Sequence, residues 1–232
     1  MLQVRSLIAR YADFQALFGV DFDLKQGSIV ALIGANGAGK STFLKSIAGL
    51  IPNKSGHIRF NSEEIGHLPS DRIVKDGISM VPEGRRLFRS LSVEENLKVG
   101  AFAGRKGRWT LEAVYRLFPA LKDKRYNSAT ALSGGQQQMV AIGRALMSNP
   151  DLLMCDEVSL GLSPAIVKDI YNAFPEIRSE GLSLIIVEQD IDVALKVADH
   201  VYCFMHGRIT LHGAPAQLTR QQISAAYFGI ED

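Results

Sequence analysis

The chain has few cysteines, little net charge and no long apolar run, and each shortage argues against a class of protein. Its two cysteines, Cys155 and Cys203, lie in apolar segments typical of strands, so we expect buried thiols rather than a disulfide or metal pair. A formal net charge of +2 is too small to indicate nucleic acid as a partner. No apolar segment approaches the ~20 residues that span a bilayer, and the N-terminus lacks a signal-peptide pattern. We therefore expect a cytosolic protein, and any membrane span would belong to other chains.

The composition is that of an ordinary globular protein, and strand and helix patterns alternate along most of the chain. Strands are predicted at residues 2–8, 28–33, 57–60, 78–81, 151–155, 184–187, 201–205 and 209–212. Short turns at residues 25–27 and 54–56 suggest an antiparallel layer beside a mostly parallel sheet. Amphipathic helices are predicted at residues 93–97, 111–118 and 139–146, with no strand between about 87 and 149. The sequence predicts an α/β fold with an inserted helical lobe.

A local basic segment, residues 104–108, lies inside this lobe. Its arginines and lysine are typical of a solvated loop, and contact with anionic lipid headgroups is the less favoured alternative.

Residues 34–41 read GANGAGKS and fit the phosphate-loop pattern G-x-x-x-x-G-K-[ST] between a buried strand and a helix. The glycines let backbone N–H groups cradle phosphate oxygens. Lys40 would reach the β- and γ-phosphates, and the Ser41 hydroxyl would bind Mg²⁺. A glycine turn that binds nothing is the alternative, and the full match in its strand–helix context disfavours it. The loop predicts ATP binding.

A second motif, residues 132–136 (LSGGQ), stands at the start of a predicted helix. Ser133 and Gln136 have the spacing of a capping box, and Gly134 and Gly135 permit close backbone approach. The N-terminus of such a helix attracts anions. Alone, the motif equally fits a well-capped helix without a ligand; beside a phosphate loop it favours a second phosphate contact.

The third motif is an apolar strand that ends in two carboxylates, Asp156 and Glu157. This strand places both carboxylates at the carboxyl edge of the sheet, which is where α/β proteins bind their ligands. Asp156 suits the Mg²⁺ shell, and Glu157 suits the general base that polarises the attacking water. A solvated pair of acids at a strand end is the alternative.

Together with residues 187–190 (VEQD), these motifs resemble the nucleotide-binding subunit of an ABC transporter over essentially the whole chain. Five further segments resemble one branch, the ATPase subunits of bacterial branched-chain (hydrophobic) amino acid importers. They are residues 81–85 (VPEGR), 93–96 (VEEN), 141–146 (AIGRAL), 159–162 (SLGL) and 226–229 (AYFG). The resemblance implies a single ABC ATPase domain over residues 1–232. Its P-loop NTPase (RecA-like) core would combine a mostly parallel sheet with an antiparallel β layer, and an α-helical subdomain would be inserted at approximately 87–149.

The resemblance also implies a role for each site residue. Tyr11 would stack on adenine. The phosphates of ATP would be bound by Gly34, Asn36, Gly37, Ala38, Gly39, Lys40, Ser41 and Thr42. Ser133, Gly134, Gly135 and Gln136 would close on the ATP of a second ATPase subunit in a head-to-tail dimer. Mg²⁺ would be held by Ser41, Glu83 and Asp156, and catalysis would use Glu157, Lys40 and Gln189.

The partners implied are transmembrane permease subunits, a second ATPase subunit and, indirectly, a periplasmic binding protein, with the chain at the cytoplasmic face of the inner membrane. The second ATPase is either another copy or a related chain, and the branch favours the related chain. Glu83 and Gln189 stand where many ABC ATPases carry Gln and His, and both are familiar in this branch. Val158 replaces the usual proline, so we expect looser placement of Glu157 and slower turnover.

Rival functions share part of this pattern. A urea or amide importer is the nearest rival for substrate. Soluble ABC ATPases of DNA repair or chromosome structure carry very long coiled-coil insertions, whereas only residues 41–132 separate Lys40 from Ser133. A nucleotide-gated scaffold that does not hydrolyse ATP is disfavoured by Lys40 and Glu157.

Overall fold

The computed structural model describes residues 1–53 and 56–229, and its contacts divide the chain into two units. The terminal unit is formed by Met1–Ile73 and Ser183–Asp232, and the central unit by Val74–Leu182. The insertion predicted at approximately 87–149 falls within the central unit, and its status as a separate subdomain stays a prediction.

The regular elements of the described residues follow in chain order. The strands are β1 (Leu2–Tyr11), β2 (Phe14–Leu24), β3 (Ile29–Ile33), β4 (Ile58–Phe60), β5 (Glu63–Glu64), β6 (Ile78–Val81), β7 (Leu152–Asp156), β8 (Ser183–Glu188), β9 (His200–Met205) and β10 (Arg208–Gly213). The α-helices are α1 (Lys40–Ile47), α2 (Ser70–Lys75), α3 (Val93–Gly100), α4 (Leu111–Leu117), α5 (Gly134–Leu146), α6 (Pro164–Ser179), α7 (Ile191–Val197) and α8 (Arg220–Phe228). Short 3₁₀ turns occupy Ala101–Ala103, Pro119–Leu121, Ala129–Ala131 and Pro215–Gln217.

The terminal unit combines an antiparallel sheet with a mainly parallel one. The antiparallel sheet has the strand order β2-β1-β4-β5. In the other sheet β3 pairs in parallel with both β8 and β9, and β10 pairs antiparallel with β9. Every residue of β3 and of β8 is buried, as expected for parallel strands covered on both faces. The α/β class and the antiparallel layer are therefore confirmed. The predicted turn at 54–56 includes Lys54 and Ser55, which lie outside the described residues.

An aromatic cluster anchors α1 in the terminal unit. The Phe43 ring of α1 lies 5.1 Å from that of Phe22 in β2 and 5.5 Å from that of Phe204 in β9, measured between centroids. All three side chains are fully buried. Such aromatic pairs add to the hydrophobic stabilisation of a core. The helix that follows the predicted phosphate loop is therefore held on two sides.

The central unit pairs two parallel strands, β6 and β7, and carries α3 to α6. Among its described residues, no strand lies between residues 87 and 149, where a single isolated bridge joins Ser92 to Ser128. Complete capping boxes begin both α3 and α5. The predicted helices of this region are confirmed, and α5 begins five residues before the periodic segment at 139–146.

The longest strand, β2, was missed by the sequence prediction. Its buried residues are Leu17, Val20, Phe22 and Leu24, so the spacing of three between the first two breaks the period of two. The cause is a bulge at Gly19, which has a φ of +80°; Leu7 and Ile8 of β1 pair with Val20 and Phe18 on either side of it. A search for strictly alternating apolar and polar residues therefore fails across such a bulge.

The basic segment at 104–108 forms ion pairs and hydrogen bonds within the central unit. Arg105 forms an ion pair with Asp151 at 2.8 Å and donates to the carbonyl oxygens of Asn149 and Lys75. Arg108 forms an ion pair with Glu180. These two guanidinium groups therefore have structural partners, which gives no support to the lipid alternative.

Both cysteines are buried, as predicted. Burial raises the pKa of the Cys203 thiol to about 12, so its reactive thiolate form is scarce near neutral pH. None of the helices in the described part of the chain is long and apolar enough to cross a membrane.

Candidate functional site

Three strands of the terminal unit end at the same edge and bring several predicted site residues together. Ile33, the last residue of β3, is paired with Glu188 of β8 and with Cys203 of β9. The loop that starts at Gly34 and the half-buried Gln189 therefore leave the sheet side by side. The carboxyl edge of a parallel sheet is where α/β proteins bind their ligands.

Lys40 lies inside the predicted phosphate loop. It is the first residue of α1, only 3% of it is exposed, and its Nζ donates to the carbonyl oxygens of Gly34 at 2.6 Å and Ala35 at 2.9 Å. The N-cap Gly39 gives α1 no side-chain cap, and its first turn contains no acidic residue. An ammonium group and a positive helix end therefore meet at one place, which fits the triphosphate of ATP.

The glycines of this loop are required for two different physical reasons. A Cβ on Gly34 would lie 2.2 Å from the carbonyl oxygen of Phe204, and a Cβ on Gly39 would lie 2.9 Å from Leu17 Cδ2. Gly37 has a φ of +80° and nothing within 4 Å of such a Cβ. Gly34 and Gly39 permit close packing and also have positive φ angles of +150° and +106°, whereas Gly37 supplies only a left-handed turn that is open to a ligand.

This difference gives a stability prediction. Gly34→Ala should lower the free energy of unfolding by ~3 kcal/mol, because its Cβ meets rigid backbone and its φ of +150° disfavours a residue with a Cβ. Gly37→Ala should cost only ~1 kcal/mol, the strain of a left-handed residue with a Cβ. Urea denaturation of the two variants and the wild type measures both values. Equal losses for the two variants would show that the Phe204 carbonyl does not constrain the loop.

Tyr11 lies beside the loop helix. Its hydroxyl is 3.4 Å from Thr42 Oγ1, and 44% of the residue is exposed. An exposed aromatic ring next to a phosphate loop can offer a face to a base. The structure thus brings two predicted nucleotide ligands together, and the stacking role stays a prediction.

In the central unit, Glu83 and the two strand-end carboxylates leave a common edge, because Val81 of β6 is paired with Cys155 of β7. Asp156 ends β7 and is 1% exposed, whereas Glu83 is exposed. Glu157 has a φ of +51°, a left-handed conformation that is uncommon for a residue with a Cβ. Such strain is typical of functional positions, which agrees with the general-base prediction without testing it.

The predicted capping box of α5 is confirmed. Ser133 Oγ accepts from the N–H of Gln136 at 3.3 Å, and Gln136 Oε1 accepts from the N–H of Ser133 at 3.1 Å. A Cβ on Gly135 would lie 2.4 Å from Ile166 Cγ2, so this glycine permits α5 to pack against α6. The motif therefore has a structural role, and its phosphate role stays a prediction.

The predicted ligands of Mg²⁺ are the hydroxyl of Ser41 and the carboxylates of Glu83 and Asp156. Among the described residues there is no cluster of three or more His, Cys, Asp or Glu that could hold a metal alone. Mg²⁺ takes oxygen ligands and ordinarily binds one or two protein oxygens together with substrate phosphates, so the chemistry of each side chain suits it, and their joint role at one ion stays a prediction.

Sequence reasoning missed the neighbours that shape the loop. The N–H of Gly207, in the turn between β9 and β10, donates to the carbonyl of Ala38 at 2.9 Å. Tyr227 and Phe228 of α8 line a cavity of about 230 Å³ together with Ala35, Asn36, Gly37 and Ala38. In the sequence, the segment AYFG indicates only the branch of the family that the chain resembles. No local sequence signal predicts that it lies beside the loop.

Comparison with known proteins gives the family. The family described as ABC transporter matches residues 17–159. The high-affinity branched-chain amino acid transport ATP-binding protein BraG of Pseudomonas aeruginosa is 46% identical, over 99% of this chain and 100% of its own length. A solved ATP-binding cassette of an ABC transporter, MJ1267, has a TM-score of 0.83 and 27% identity, covering 97% of this chain and 94% of that one. The cassette MJ0796, a dimer bound to ADP and Pi after hydrolysis, has a TM-score of 0.82 at 23% identity, covering 93% and 99%.

The chain therefore belongs to the ABC transporter family. It is an ATP-hydrolysing subunit of such a transporter.

Proposed function

We propose that this subunit drives the uptake of branched-chain or other hydrophobic amino acids. The observation that carries the proposal is the 46% identity to BraG over essentially the full length of both chains. The VPEGR, VEEN and AYFG segments, which resemble the same branch, support it.

In this proposal, the terminal unit binds the nucleotide. Tyr11 contacts the adenine, residues 34–42 hold the phosphates, and Lys40 neutralises charge that develops on the γ-phosphoryl group. Gln189 cannot titrate as histidine does, but its amide can donate a hydrogen bond to that group. Its role is therefore positioning rather than proton transfer.

The central unit supplies the groups for hydrolysis. Glu157 accepts a proton from the attacking water as general base. Ser41, Glu83 and Asp156 would hold Mg²⁺, which would supply neutralising charge beside the phosphates when bound. The burial of Asp156 and the left-handed backbone of Glu157 support these different roles, because the first side chain is held in the interior and the second residue has a strained backbone of the kind common at functional sites.

The second ATP contact comes from a second ATPase subunit. The capped N-terminus of α5 presents N–H donors and a positive helix end, which supports its contact with the phosphates of that subunit's ATP in a head-to-tail dimer. Permease subunits supply the membrane path, and a periplasmic binding protein delivers the substrate. We place the chain at the cytoplasmic face of the inner membrane.

The proposal is tested by uptake of radiolabelled leucine and of urea in cells that encode this chain. Deletion of its gene should abolish high-affinity leucine uptake and leave urea uptake unchanged. Wild-type protein should restore leucine uptake, whereas the Lys40→Ala protein at equal abundance should not. Loss of urea uptake alone would overturn the amino acid assignment in favour of the rival importer.

A further inference from the structure

Three consecutive residues of the central unit adopt left-handed backbone conformations. The φ angles are +73° at Gly84, +66° at Arg85 and +48° at Arg86. Glycine adopts this conformation without strain, whereas residues with a Cβ ordinarily visit it singly. Two arginines in succession therefore need an external restraint.

Arg144 of α5 supplies that restraint. Its Nη1 donates to the carbonyl oxygen of Arg86 at 2.7 Å, and its Nη2 donates to that of Arg85 at 2.9 Å. The guanidinium also lies 5.6 Å from the centroid of the Phe88 ring. Burial lowers the pKa of Arg144, so the fold desolvates a cation whose hydrogen-bond partners here are neutral carbonyls. The planar fork of arginine suits two adjacent acceptors, which a lysine ammonium cannot match.

The turn joins two predicted site segments. Glu83 immediately precedes it. At its other side, Arg85 Nη1 is 3.5 Å from Gln137 Oε1, and its Nη2 lies 3.2 Å from the position of a Cβ on Gly134. Gln137 and Arg144 are seven residues apart and share one face of α5. The helix therefore contacts the turn at two points, Arg144 and Gln137, and Gln137 directly follows the LSGGQ motif.

We propose that Arg144 is a positioning residue for ATP hydrolysis. By holding the turn at 84–86 in its left-handed form, it fixes Glu83 relative to the N-terminus of α5. This inference rests on the proposed ATPase site, since Glu83 acts there beside Mg²⁺. Without Arg144 the turn relaxes toward negative φ, and Glu83 is displaced while the nucleotide-binding residues of the terminal unit are unaffected.

The test uses the full-length chain with R144M and R144K, each alone and combined with R86G or R86A. Both substitutions at position 86 remove the same side chain, but only glycine removes the cost of the left-handed conformation. Readouts are the melting temperature, kcat, the Mg²⁺ concentration at half-maximal activity, and the Kd of a fluorescent ATP analogue.

We expect R144M to lower kcat about tenfold and to raise the Mg²⁺ requirement, with the Kd changed by less than about twofold. R144M/R86G should regain at least about threefold in kcat, whereas R144M/R86A should not, because the freed turn stays left-handed only with glycine. R144K should lie between R144M and the wild type. In the wild-type background, R86G should melt above R86A.

Three results would contradict the proposed role of Arg144. Wild-type kcat in R144M, equal recovery by R86G and R86A, or failure of both R144M and R144K to fold would each overturn the positioning role. If the wild type itself binds the analogue but releases no phosphate, the proposed ATPase site fails, and that result is separate from any variant.

Discussion

Glu157→Gln should reduce ATP turnover about 10²–10⁴-fold, the loss expected when a general base is removed. Glutamine has nearly the same shape, so the left-handed backbone at this position should persist. In the proposed site the residues that contact ATP within one subunit belong to the terminal unit, so the Kd for ATP should be unchanged. The variant should therefore accumulate ATP-bound dimers that size-exclusion chromatography resolves and that the wild type forms only transiently.

The matched control for this experiment is Glu176→Gln. Glu176 is an exposed carboxylate on α6, outside the predicted site. The Glu176→Gln variant should hydrolyse ATP at the wild-type rate and form no lasting dimer. Full activity in Glu157→Gln would show that another group activates the water.

Lys40→Ala should abolish turnover by weakening contact with the phosphates themselves. Removing one preorganised charged donor from a reaction centre costs ~3–4 kcal/mol, or 10²–10³-fold in rate. The substitution also leaves the carbonyl groups of Gly34 and Ala35 without the Lys40 donor. ATP affinity should fall together with kcat, whereas Glu157→Gln lowers kcat alone; a fluorescent ATP analogue and a phosphate-release assay separate the two effects.

Lys45→Ala is the corresponding control, because Lys45 lies in the last turn of the same helix and outside the loop motif. Its nucleotide affinity and rate should match those of the wild type. An equal loss of affinity in both lysine variants would point to a general electrostatic effect of α1.

Features set by short-range chemistry could be predicted from the sequence. The capping box of α5 depends on two side chains three residues apart, and both of its hydrogen bonds are present. The strands β3, β6 and β7 were predicted within a residue because their mainly apolar segments are bounded by glycine, proline or polar residues.

Features set by contacts distant in sequence could not be predicted. The bulge at Gly19 changes the side-chain period of β2, so its pattern no longer alternates. Part of the need for glycine at position 34 comes from the Phe204 carbonyl, which is distant along the chain. Arg144 belongs to a segment that, in the sequence, indicates only a family branch. Its hydrogen bonds to the turn at 84–86 join residues that are nearly 60 positions apart, so only the folded structure reveals them.

Steady-state phosphate release by the purified chain with ATP and Mg²⁺ tests the central claim most directly. We predict turnover that requires Mg²⁺, stops when EDTA is added, and falls about 10²–10⁴-fold in Glu157→Gln. ATP binding without phosphate release, both for the chain alone and after co-purification with its membrane partners, would contradict the account and favour a nucleotide-gated scaffold.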